Sequence, residues 1–134
     1  MASIRREARI AAKVETAWSA LRDVGALHTR LVPGFVTDTK LEPGARVVTF
    51  GNGMVVKELL LDVDDAAHRV AWSAQSERMT HHNASAQVFA DGPGHCRFVW
   101  IADLLPNEVA PEIAALIDQG MAVIKATLEK AERG

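Results

Sequence analysis

Cysteine is almost missing from this chain. Cys96 is the only one in 134 residues, so no intramolecular disulfide framework can hold the fold and a core of apolar side chains must do so. Charge of one sign is missing too. Fifteen basic against seventeen acidic side chains leave a formal net charge of −2, which gives no field to gather nucleic acid or an anionic membrane surface. No stretch approaches the ~18–20 uninterrupted apolar residues needed to cross a bilayer, so no integral membrane segment is expected. The segment Met1 to Arg9 interleaves Arg and Glu where a secretory signal needs an apolar run. With the lone cysteine, this points to a cytoplasmic protein. Repeats, like-charge blocks and Ser/Gly linkers are absent. The glycine-containing segments lack phosphate-loop spacing, and the histidines lack metal-ligand spacing, so neither a cofactor nor a metal is implied.

What remains is a globular composition, 49% hydrophobic and 24% charged, in a length that suits a single domain over residues 1–134. Val14, Ala17, Trp18 and Leu21 recur at helical spacing. A second short helical turn through Leu27 to Leu31 ends at Pro33-Gly34. From there the pattern becomes short runs of Val, Phe, Trp and Thr. Turn signals at Glu42-Pro43-Gly44, Gly51-Asn52-Gly53, Asp64-Asp65 and Asp91-Gly92-Pro93-Gly94 separate them. Strands are expected near residues 4–11, 35–41, 45–51, 54–63, 68–75, 82–91 and 95–104. Ile113, Leu116, Ile117, Gly120, Met121, Ile124 and Leu128 form one stripe of a helix over about residues 107–132. At about 1.5 Å per residue it is on the order of 39 Å long, enough to cross a sheet of ~26 Å strands. The layout is α+β: a curved seven-stranded antiparallel sheet wrapped on a long C-terminal helix, with two short helices after the first strand.

A curled sheet and one helix leave a gap that only large side chains can fill. On one strand the face carrying His82 reads Ala84, Ala86 and Val88. On the next, Trp100 shares its face with Cys96, Phe98, Ala102 and Leu104. The alanines favour a cavity, whereas Trp72, Phe98 and Trp100 could also fill the space themselves. For residues 54–63 periodicity leaves both faces open: Met54, Val56, Glu58 and Leu60, or Val55, Lys57, Leu59 and Leu61.

The opening from Ile10 to Asp23, with Gly25-Ala26-Leu27-His28 and Pro33-Gly34 after it, resembles the START-like helix-grip superfamily. That superfamily comprises polyketide cyclases and dehydrases, lipid-transfer domains, pollen allergens and plant abscisic-acid receptors. Glu58 to Asp65, Arg69 to Ser73, and Arg97 to Pro106 around Trp100 are similar to its strand motifs. The resemblance places Glu58 on a pocket wall, with Met54, Val56 and Leu60 beside it. It also implies Trp72 as a pocket aromatic and His82 where a Tyr is common. Ala84, Phe98 and Trp100 follow by alternation, and Ile113, Ile117 and Met121 match the ligand-facing stripe of the last helix. The chain departs from the pattern in having no tyrosine at all, in Ala12 where a Pro is usual, and in Pro33 where the receptors hold an acid-binding Lys. Its Gly51-Asn52-Gly53 turn is also too short to be their gating loop.

The expected function is binding, transport or sensing of a small hydrophobic molecule in that cavity. The alternatives are a polyketide cyclase or aromatase-type enzyme using the same cavity, and a protein-interaction module with a vestigial one. For catalysis the candidates are Glu58 and His82, since an imidazole and a carboxylate facing one cavity could share a proton. A rim carboxylate and a polar wall are the plainer reading. Arg6, on the inward parity of the first strand, would need Glu58 or a ligand acid as partner unless that strand is frayed. Cys96 reads as a small buried residue, and Met79 as a lid or surface side chain.

Overall fold

The computed structural model describes residues 1–134. The chain runs β1 (Ala2–Ile10), α1 (Val14–Arg22), a π-helical turn (Leu27–Leu31), β2 (Val36–Glu42), β3 (Ala45–Phe50), β4 (Val55–Asp64), β5 (Arg69–Gln75), β6 (His81–Ala90), β7 (Cys96–Leu105), a 3-10 turn (Asn107–Val109) and α2 (Ala110–Arg133). All seven strands form one antiparallel sheet in the order β1-β7-β6-β5-β4-β3-β2. The expected layout is present, with strand ends shifted by at most two residues and α2 starting at Ala110, after the 3-10 turn. β1 stops at Ile10 because the next amide, that of Ala11, is bonded to the Glu129 carboxylate of α2 at 2.9 Å.

Three features curl the sheet around α2. Register shifts fall between Val36 and Asp38 in β2 and between Leu60 and Asp62 in β4, where an extra residue bends each strand. The β5–β6 ladder then ends at Trp72–Ala84, and the strands part beyond it. α1 has no capping side chain of its own. Instead Glu132, at the far end of α2, accepts from the Lys13 amide at 2.7 Å and from the Thr16 hydroxyl, placing a carboxylate where the helix dipole favours one.

One apolar core lies between sheet and helices, but its two ends differ. Toward the end of α2, Ile10, Val88, Cys96 and Leu128 are fully or almost fully buried and the packing is solid. Burial pushes the Cys96 thiol up to about 11, consistent with an inert core residue. Toward the start of α2, aromatic rings leave room. Gly120, at mid-helix, explains how Trp100 approaches: a Cβ there would lie 2.9 Å from the indole and 3.4 Å from Phe35.

Gly120→Ala is expected to destabilise the protein by about 1–2 kcal/mol through overpacking, although Ala is the better helix former by ~1 kcal/mol. Urea unfolding measures it, and a stabilised variant would show that Trp100 is not seated on the helix.

Candidate functional site

The Gly51-Asn52-Gly53 turn is symmetric about Asn52, so β3 and β4 pair with Arg46 directly opposite Glu58. Arg46 shares the concave face with Val48, and both members of the pair are buried, at 3% and 7% exposure. Arg46 Nε donates to Glu58 Oε1 at 2.8 Å and its Nη1 to the Val24 carbonyl at 3.3 Å. The guanidinium also stands 5.4 Å from the centre of the Trp72 ring, a cation–π distance. Two charges taken out of water are thus answered by each other, a carbonyl and an indole face.

This pair stands where two lobes of a cavity meet between the sheet and α2. The outer lobe encloses about 120 Å³ and the inner about 70 Å³, each several times the ~10–15 Å³ that one water needs. Phe35, Phe50, Glu58, Trp72 and Trp100 border both. Phe35 and Phe50 meet edge to face at 5.7 Å, and the Trp72 and Trp100 rings are 6.0 Å apart at 59°. Across the mouth, Arg78 of the β5–β6 loop grips Glu112 in the first turn of α2 through both carboxylate oxygens, Nη1 to Oε1 at 2.6 Å. Those bonds hold the Glu112 carboxyl below its ordinary range and raise the Arg78 guanidinium.

His82 occupies the place where β5 and β6 separate. Its Nδ1 accepts the Ala74 amide proton at 3.0 Å, and the Ser73 hydroxyl donates to its carbonyl. With Nδ1 an acceptor, the ring proton sits on Nε2. Burial, reinforced by neighbouring His81, pushes its pKa down and keeps the ring neutral.

Of the residues expected on the wall, Met54, Val56, Glu58, Trp72, His82, Trp100, Ile113 and Ile117 line the outer lobe, and Phe98 the inner. Three line neither lobe. Leu60 is half-buried beside the β4 bulge. Ala84 lies in register between Trp72 and Ala102, where a single methyl stays in the core. Met121 lies beside Gly120, where the Trp100 indole closes onto the helix. Glu58 and His82 share the outer wall but no hydrogen bond, because each is held by another partner. Arg6 pairs with Asp118 of α2 at 2.6 Å at the surface, so neither Glu58 nor a ligand acid is its partner. Met79 is half-buried on the outer lobe.

The sequence reading missed Arg46, Phe35 and Phe50. Arg46 and Phe50 were within reach. They share the parity of buried Val48, and counting outward from Asn52 sets Arg46 against Glu58. Phe35, just after the Pro33-Gly34 break, carries no periodic signal.

An antiparallel sheet gripping one long helix around an apolar lumen defines the helix-grip class of START-like proteins. Within it, the chain belongs to the polyketide cyclase / dehydrase and lipid transport family, whose profile matches residues 1–130. Its fold is similar to that of a Thermobifida fusca protein solved by solution NMR (27% identity, TM-score 0.80, covering 98% of this chain and 93% of that one). It is also similar to norcoclaurine synthase of Thalictrum flavum, solved with a transition-state analogue (20%, 0.75, 97% and 95%), and to a START superfamily protein of Mycobacterium smegmatis (12%, 0.72, 98% and 97%). Curated protein sequences give no significant match.

Removing one member of the buried pair strands the other's charge. Glu58→Leu alone should cost about 3 kcal/mol, whereas Arg46→Met with Glu58→Leu together should cost far less. Denaturant unfolding of the double-mutant cycle measures both, and additive losses would mean that the two side chains do not act as a unit.

Proposed function

We propose that this protein is a single START-like domain that binds a small, largely apolar molecule in the two-lobed cavity between its sheet and α2. The observation that carries the reading is the unfilled lumen itself: Trp72 and Trp100 stand on its wall instead of plugging it. Twelve of the seventeen residues around the outer lobe are hydrophobic, as are thirteen of the fifteen around the inner. Burial of the guest's apolar surface, at about 25 cal/mol per Å², would supply most of the affinity before ordering costs are met.

In this reading Met54, Val56, Trp72, Trp100, Ile113 and Ile117 shape the outer lobe, and Phe98 contributes to the inner one. Glu58 and His82 orient the guest. Binding is favoured over chemistry by these two groups, since each is engaged by a structural partner and no proton path joins them directly. Family membership fits a carrier and a cyclase equally well. An interaction module with a vestigial cavity draws less support, because such a lumen would be expected to have filled in.

Two of the three tryptophans, Trp72 and Trp100, lie on the cavity wall, while Trp18 is tied to Asp65 at the other end of β4. Titration with aromatic polyketides, isoprenoids and fatty acids should therefore give a saturable change in indole fluorescence for at least one class. Val56→Phe, which intrudes on the outer lobe, should weaken that response at least ~10-fold. If no class produced a saturable change, the binding reading would be lost.

A further inference from the structure

We infer that the cavity takes neutral, hydroxyl-bearing apolar molecules and rejects carboxylates of the same skeleton, with the Arg46–Glu58 pair setting the preference. The inference rests on the ligand-binding reading above and adds the chemical class of the guest.

Four charged residues line the two lobes, and they form two pairs. Arg46 is committed to Glu58 inside, and Arg78 to Glu112 at the mouth. No cation is left over to answer an incoming anion. The inner pair is the one that matters, because its side chains are only 4% and 10% exposed, whereas solvent screens the outer pair.

Leaving aside the mouth pair and Ser76, whose hydroxyl accepts the Arg78 amide proton, two side chains offer polar atoms to a guest, Glu58 and His82. Glu58 Oε1 receives Arg46 Nε, but Oε2 has no partner in the protein. No side-chain polar atom that is shut off from solvent lacks a partner, so Oε2 must border open space. Glu58 lines both lobes, and that space is therefore the cavity. A carboxylate oxygen accepts and never donates, so it calls for an O–H or N–H on the guest. His82 complements it. With Nδ1 already accepting from the Ala74 amide, only the Nε2–H remains, and it is a donor to a hydroxyl or carbonyl oxygen.

A hydroxyl group meets both demands, since it can donate to Glu58 and accept from His82. A carboxylate meets the wrong atom at Glu58. It also leaves a net negative charge in an apolar lumen, where an unpaired ion is costly. Both effects act in the same direction.

Calorimetric titration at neutral pH with naphthol, methoxynaphthalene and naphthoate separates these contributions on one skeleton. Naphthol should bind at least ~10-fold more tightly than naphthoate, and more tightly than methoxynaphthalene, which has no proton to donate. Glu58→Gln keeps an amide oxygen for Arg46 Nε but removes the negative charge, leaving Arg46 unneutralised. Its preference should move toward naphthoate by ~10-fold or more. If the wild-type protein bound naphthoate as tightly as naphthol, this inference would fall while the ligand-binding reading stood. Methoxynaphthalene binding as well as naphthol would remove the role given to Oε2. Binding of none of the three would overturn the inference, and the reading beneath it falls only if the wider fluorescence panel is silent as well. The wild-type comparison decides the matter even if the variant does not fold.

Discussion

A carboxylate and a guanidinium facing an apolar lumen remain charged at low cost only if each is within bonding distance of the other. Arg46 and Glu58 satisfy that condition through the register of a hairpin. The Asn52-centred turn sets the strand pairing, the pairing sets the two side chains opposite each other, and Trp72 and the Val24 carbonyl complete the surroundings of the guanidinium. A one-residue slip of β4 against β3 would turn Glu58 to the convex face and set Lys57 or Leu59 against Arg46. The pair therefore fixes the wall of the cavity as well as its polarity.

The rest of the grip divides around this point. Beyond the inner lobe, aliphatic side chains from β1, β6, β7 and the end of α2 close the structure as an ordinary core. At the other end, rings replace branched chains. Rings are wide but flat, and a few of them around a curved sheet leave gaps that Leu or Ile would fill. Trp100 stays on the wall because Gly120 lets its indole press against α2. The β5–β6 ladder is also released at the mouth, and His82 bridges the opening with a side-chain bond where a backbone bond would otherwise lie. The released ladder and the close seat of Trp100 on α2 both fall on the side that admits a guest.

Most of the architecture could be read from the residues. The four turn signals mark the β2–β3, β3–β4, β4–β5 and β6–β7 connections, and the apolar stripe from Ile113 to Leu128 marks α2, because both patterns are local and follow directly from the periods of strand and helix. Alternation or the family resemblance puts Trp72, His82, Phe98 and Trp100 on the cavity wall, and they line it. Leu60, Ala84 and Met121 follow the same patterns and line neither lobe. A residue can have the right parity or spacing and still be screened by a bulge, a neighbouring strand or a seated indole, all of which are three-dimensional facts. The supposed Glu58–His82 couple failed for a related reason. Two groups on one wall are not partners when each has a closer one, and the closer partner of Glu58 is Arg46, whose inward parity follows that of Val48.

The central claim is that sheet and α2 leave an open apolar lumen at the Arg46–Glu58 junction. Crystals of ligand-free protein exposed to xenon test it most directly, because xenon enters dry apolar voids with little rearrangement of their walls. The account predicts ordered xenon in the lobes beside Trp72 and Trp100, with the Arg46–Glu58 bond intact. Diffraction showing those indoles folded into the gap, with no xenon between sheet and helix, would contradict it.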